Sequence, residues 1–184
     1  MLSTKGRLLR WGMAIGILLL IPLMATIISS EFNWNLTDFL VFGVLLSGIG
    51  LTFELIAHKS GSSQYRGAFA LGLLGAFLLF WVNGAVGIIG HEGQDANLLF
   101  GLVFAVGIVG ALISGFKARG MSRTLYLTAT VQMLVPLIAL LIWPPSAISW
   151  SPGVFAVFLI SGFFAFIFAL SGMLFSRASK EESV

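Results

Sequence analysis

The chain contains no cysteine. That absence excludes disulfides, thiolate zinc sites, iron–sulfur clusters and covalently attached c-type haem in one step. Charge is almost as scarce: Asp, Glu, Lys and Arg make up 9% of the 184 residues, and there are two histidines. A soluble domain draws roughly a quarter of its residues from those four charged types, so this sequence is not built to present a solvated surface. Hydrophobic residues reach 58% and the mean hydropathy is +1.04. No soluble core of this length hides that much apolar surface, and the expected solvent is lipid. The net charge of +3 and the pI near 9.7 would suit nucleic acid. However, the ten Lys and Arg stand in twos and threes between apolar runs, which is the pattern of membrane topology signals rather than of a nucleic-acid surface.

Six apolar runs are long enough to cross the ~30 Å hydrocarbon core as helices. They cover residues 11–29, 38–57, 67–89, 97–116, 124–143 and 153–175. The expected fold is all-α: a polytopic membrane protein, one transmembrane domain over 1–184, built as three successive helical hairpins. The first run follows Lys5, Arg7 and Arg10 as a signal peptide would, but it is too long, and Ala25-Thr-Ile-Ile-Ser-Ser30 is a poor cleavage site. It is read as a retained span.

Placing both termini in the cytoplasm puts Lys5, Arg7, Arg10, Lys59, Arg66, Lys117, Arg119, Arg123, Arg177 and Lys180 inside, which is all ten basic residues. The outer loops then carry Glu31, Asp38, Glu92 and Asp95 and no Lys or Arg. The reverse orientation violates the positive-inside rule at every loop. Trp34, Trp143 and Trp150 fall at the outer interface, and Trp11, Tyr65 and Tyr126 at the inner one.

Small residues at four-residue spacing let helix backbones approach closely in lipid. Ala68, Gly72 and Ala76 do so in the third span, Gly107, Ala111 and Gly115 in the fourth, and Ser161, Ala165 and Ala169 in the sixth. The third and fourth spans are therefore expected to form the tightly packed centre. Pro22 and Pro136 in the first and fifth spans, each followed by an outer-loop Trp, hint that the first hairpin is echoed by the third.

The densest polar cluster is Asn83-Gly-Ala-Val-Gly-Ile-Ile-Gly-His-Glu-Gly-Gln-Asp-Ala-Asn97. Gly84, Gly87 and Gly90 recur every three residues, a spacing that favours tightening toward 3₁₀ or local unwinding. Unwound backbone at membrane depth lines a cavity or is buried in protein. Asn83, His91, Glu92, Asp95 and Asn97 are thus candidate substrate-binding residues at an outer mouth. The competing reading is a plain exposed loop, with Asp95 or Asn97 capping the next helix and Asn83 bonding a neighbour. Glu54, the sole carboxylate inside a span, and His58 one turn on form a candidate proton or cation relay, or an interfacial pair. No metal site is assigned: His91, Glu92 and Asp95 are three donors in one short loop, and His58 belongs to the opposite side of the membrane.

Catalytic constellations fail. Ser47-Gly48, Ser114-Gly115, Ser161-Gly162 and Ser171-Gly172 lack the preceding Gly-x of intramembrane serine proteases, and no deep histidine can act as base. There is no HExxH, P-loop or dinucleotide fingerprint, and no cofactor is implied.

The stretch Asn83-Gly-Ala-Val-Gly-Ile-Ile-Gly-His-Glu, then Asp95-Ala-Asn-Leu, then Gly120-Met-Ser-Arg-Thr-Leu resembles a group of small, uncharacterised bacterial multi-span membrane proteins. The resemblance spans the third to fifth helices and implies a bacterial inner membrane without transferring an activity. Size and topology also look like the substrate-binding components of energy-coupling-factor vitamin transporters, though their first-helix alanine motif is missing. Two functions stay open. One is a small-solute or cation transporter or channel. The other is a non-catalytic scaffold or accessory subunit, as a homo-oligomer or within a larger membrane complex.

Overall fold

The computed structural model describes residues 4–28, 34–57 and 60–181. Six helices in it are long and apolar enough to span a membrane. They are α1 (Thr4–Ile28), α2 (Leu36–Ile56), α3 (Ser63–Ala85), α4 (Gly101–Ile113, preceded by a 3₁₀ turn at Asp95–Phe100), α5 (Ala118–Ile142) and α6 (Val154–Glu181). Among the described residues there is no strand. This is the build of a multi-pass membrane protein, in which helices satisfy most of their backbone polar groups internally.

The helices fall into two compact units, residues 1–59 and 60–184. The first holds α1 and α2. Asn35 starts α2 with a capping box: its side chain accepts from the N–H groups of Thr37 (2.7 Å) and Asp38 (3.1 Å), and Asp38 accepts from the Asn35 N–H (2.8 Å). Orphan donors at the helix start are thereby satisfied. Trp11 of α1 lies over Gly50 of α2 so closely that a Cβ there would meet its ring at 2.8 Å. The Trp11 indole N–H donates to Glu54 Oε2 at 3.4 Å. Much of α1 shows apolar side chains outward, among them Leu20, Ile21 and Ile27, as lipid-facing helices do.

The second unit is organised around α5 and α6, which pack on each other along their length, with α3 laid on α6 and α4 on α5. The expectation that the third and fourth spans form the centre is corrected here. α3 meets α4 through long side chains, as Phe80 edge-on to Phe104 at 6.4 Å. The reason lies in which glycines receive neighbours. Gly72 and Gly75 of α3 face Ser171 and Ile167 of α6, and the Ser171 hydroxyl donates to Ala68 O at 2.7 Å. On α4 it is Gly110, off the expected stripe, that sits closest: a Cβ there would fall 2.5 Å from Thr124 of α5, against 3.7 Å from Thr128 at Gly107. Gly115 lies past the end of α4 in a left-handed turn, φ +54°, facing open space. Ser122 of α5 closes the centre by donating to Gly172 O of α6 at 2.8 Å.

These contacts run antiparallel, so both ends of the second unit are defined. At one end the Tyr65 hydroxyl donates to Phe116 O at 2.5 Å and Gln64 to Glu181 at 2.5 Å. Arg66, Lys117, Arg119, Arg123, Arg177 and Lys180 all belong to that end. The opposite end carries the α3–α4 and α5–α6 connections, whose residues include Glu92 and Asp95 and no Lys or Arg. There Trp150 is buried and its indole N–H donates to Trp143 O at 2.8 Å.

Candidate functional site

α3 stops at Ala85 rather than continuing to Ile89. The N–H groups of Val86 and Gly87 both turn back to Val82 O (3.1 and 3.2 Å). Gly87 and Gly90 then take φ values of +78° and +75°, a region open to glycine without the steric cost a Cβ would add. Space reinforces conformation. A Cβ on Gly87 would run into the backbone of His91, and one on Gly90 would lie 2.7 Å from Ser149 O. The 3₁₀ segment anticipated at the glycines comes after them instead, at Asp95–Phe100.

Between these turns the chain folds inward, and Ile88 and Ile89 are buried. Burying an irregular loop demands partners for its backbone, and Asn97 supplies them. Its Oδ1 accepts from the N–H of Ile88 (3.1 Å) and Ile89 (2.9 Å), and its Nδ2 donates to the carbonyls of Ile89 (3.0 Å) and His91 (2.8 Å). All four hydrogen-bonding sites of the carboxamide are used, and the residue is 3% exposed. Gln94 ties the same loop sideways, donating to Ile89 O (3.1 Å) and Ser149 O (2.8 Å), while the Gly90 N–H reaches Ser151 O (3.1 Å). This end of the unit is thus closed by two connections stitched to each other.

Of the residues singled out in the sequence, Asn83 and Asn97 are brought together: Asn83 Nδ2 donates to Asn97 O at 3.2 Å. His91, Glu92 and Asp95 are exposed. Among the described residues no three His, Asp or Glu side chains gather at metal-binding distance. Glu54 is half-buried under the Trp11 indole, and His58 lies outside the described residues.

Three polar groups beneath the knot are what sequence reading passed over or placed elsewhere. Asn83 Oδ1 is buried with no hydrogen-bond partner. Gln132 of α5 is 0% exposed, and neither atom of its amide is bonded. Ser161 of α6 is equally buried and its hydroxyl is unpartnered. The signal for Gln132 was an amide set in the apolar run Thr130-Val-Gln-Met-Leu-Val-Pro136. Ser161 was legible as part of a small-residue stripe, which hides a hydroxyl among packing residues.

No protein-family model, curated protein or solved structure matches this chain.

Proposed function

We propose that this is a multi-pass protein of a bacterial inner membrane, with both termini cytoplasmic, that passes a small solute through its α3–α6 unit. The orientation is supported by the gathering of six basic residues at one end of that unit and by their absence from the other. The motifs between Asn83 and Leu125 support a place among the small bacterial multi-span proteins they resemble. The observation that carries the transport reading is Gln132, fully buried in a membrane-spanning helix with both amide atoms free. A neutral polar side chain inside a helical bundle in lipid ordinarily bonds a neighbouring helix; one buried with no partner is costly, and that cost favours a path or a site. In this reading Glu92 and Asp95 stand at the outer mouth.

A second reading is favoured by Asn97. Because its amide is consumed by Ile88, Ile89 and His91, the outer loop also suits a fixed cap on a scaffold or accessory subunit, alone as an oligomer or in a larger complex. Reconstitution separates the two. Purified protein in proteoliposomes should speed equilibration of at least one small solute, neutral or ionic, over protein-free vesicles. Vesicles that remain as tight as the protein-free ones toward every probe leave the scaffold.

A further inference from the structure

We propose that Asn83, Gln132 and Ser161 form a single uncharged binding layer inside the bundle of α3, α5 and α6, for a small neutral molecule that carries both hydrogen-bond donors and acceptors. The proposal rests on the transport reading for the route and narrows its substrate class, setting cations aside.

The three residues share one seam. Leu125 of α5 touches both partners of that seam: a Cβ on Gly72 of α3 would lie 3.6 Å from its Cδ1, and one on Gly172 of α6 would lie 3.4 Å from its Cβ. Gln132 stands seven residues beyond Leu125 on α5, about two helical turns, so it keeps the same face. Asn83 stands eleven residues beyond Gly72, and Ser161 eleven before Gly172; each displacement is about three turns and again preserves the face.

The levels agree as well. Gly162 faces Met133, its Cβ position 4.0 Å from the Met133 sulfur, and Ser161 and Gln132 are the chain neighbours of that pair. Gly75 of α3 faces Ile167 and Phe168 of α6. Eight residues on from Gly75 to Asn83 correspond, in an antiparallel pair, to eight residues back along α6, which ends beside Ser161. At ~1.5 Å per residue the three positions fall within roughly 5 Å along the bundle axis. Asn83 also joins this layer to the knot above it, since its Nδ2 is bonded to Asn97 O while its Oδ1 is free.

The chemistry of the layer defines the ligand. Gln132 offers two donor hydrogens and a carbonyl, Ser161 a hydroxyl that both donates and accepts, and Asn83 an acceptor. No Asp, Glu, Lys, Arg or His occurs in α3 after Arg66, in α5 after Arg123 or in α6 before Arg177. A cation would meet no counter-charge to offset its desolvation, whereas a neutral molecule with mixed donors and acceptors satisfies all three side chains at once. Water is the smallest such molecule; urea and glycerol carry the same groups at larger size.

The test uses the full chain in proteoliposomes, as wild type and as Gln132→Met and Ser161→Ala. Stopped-flow light scattering reads water under an impermeant osmotic gradient and reads urea and glycerol under their own gradients. A voltage-sensitive dye reads potassium. The expected result is permeability to water, or to urea or glycerol, well above protein-free vesicles, no potassium current, and a several-fold loss of the neutral flux in Gln132→Met. Both variants should melt at or above the wild-type temperature in detergent, because each removes a buried polar group that lacks a protein partner. Potassium current without neutral flux overturns the neutral site and keeps transport. Neutral flux that Gln132→Met leaves unchanged overturns the layer alone. No flux of any probe ends the transport reading, and melting then decides the layer. A Gln132→Met protein that melts well below wild type has lost an amide bonded within the bundle, which overturns the layer in any case.

Discussion

Asn97 grips Ile89 from both sides of its peptide: Asn97 Oδ1 accepts from the Ile89 N–H at 2.9 Å, and Asn97 Nδ2 donates to the Ile89 carbonyl at 3.0 Å. This pairing imitates a strand-like exchange of backbone bonds with a single side chain. It allows an apolar, irregular loop to sit buried with its backbone groups paired. Replacing Asn97 by Asp removes two donors and sets a carboxylate against the Ile89 and His91 carbonyls. Asn97→Asp and Asn97→Leu should each destabilise the protein by about 2–4 kcal/mol, from stranded buried backbone groups. Thermal melting in detergent measures it. Glu92→Gln and Asp95→Asn, exposed and outside the knot, should melt with the wild type.

The three glycines of the same stretch should separate. Gly84 lies within α3 and faces open space, while Gly87 and Gly90 hold positive φ and would press a Cβ onto backbone. Gly84→Ala should be neutral or stabilising by about 0.5–1 kcal/mol. Gly90→Ala should cost about 1–3 kcal/mol, from conformation and from the Ser149 carbonyl together. Equal melting temperatures for the two variants would show that the loop does not hold these turns.

Helix packing offers a sharper contrast within α4. Gly110→Ala drives a methyl into Thr124, and Gly107→Ala meets Thr128 at ordinary contact distance. The first should lower stability by about 1–3 kcal/mol and the second by well under that. The reverse order would place a different face of α4 against α5.

Orientation is readable because the chain has no cysteine of its own. Single cysteines at Gly93 or Ala147 should react with a membrane-impermeant maleimide applied outside intact cells, and one at Ser62 should react after permeabilisation. Labelling of Ser62 from outside with Gly93 protected would invert the assignment of sides.

The six helices were legible because an apolar run of about 20 residues has few other uses. Their ends and neighbours were less so. Ile88 and Ile89 read as a continuation of α3, since burial in a span and burial in an inward loop require the same side chains. What decides between them is whether Asn97, eight residues later, returns to pair with their backbone, and that depends on closure of the whole loop. Packing partners were equally hidden. Small residues lie on several faces of α3 and α4, so the stripe through Gly107 was as visible as the position that matters, Gly110. For the candidate site the sequence pointed to the richest polar cluster, of which Asn97 proved to be engaged with its own loop. Gln132 was in view throughout, but one amide in a span weighs little beside a loop crowded with polar groups until its partners, or their lack, can be seen.

The most direct measurement is a high-resolution experimental density map of the protein in lipid nanodiscs, viewed between Asn83, Gln132 and Ser161. Non-protein density is expected within hydrogen-bonding distance of the Gln132 amide and of at least one of Asn83 Oδ1 and the Ser161 hydroxyl. A Gln132 amide bonded directly to a neighbouring helix, with continuous protein packing through the layer, would contradict it.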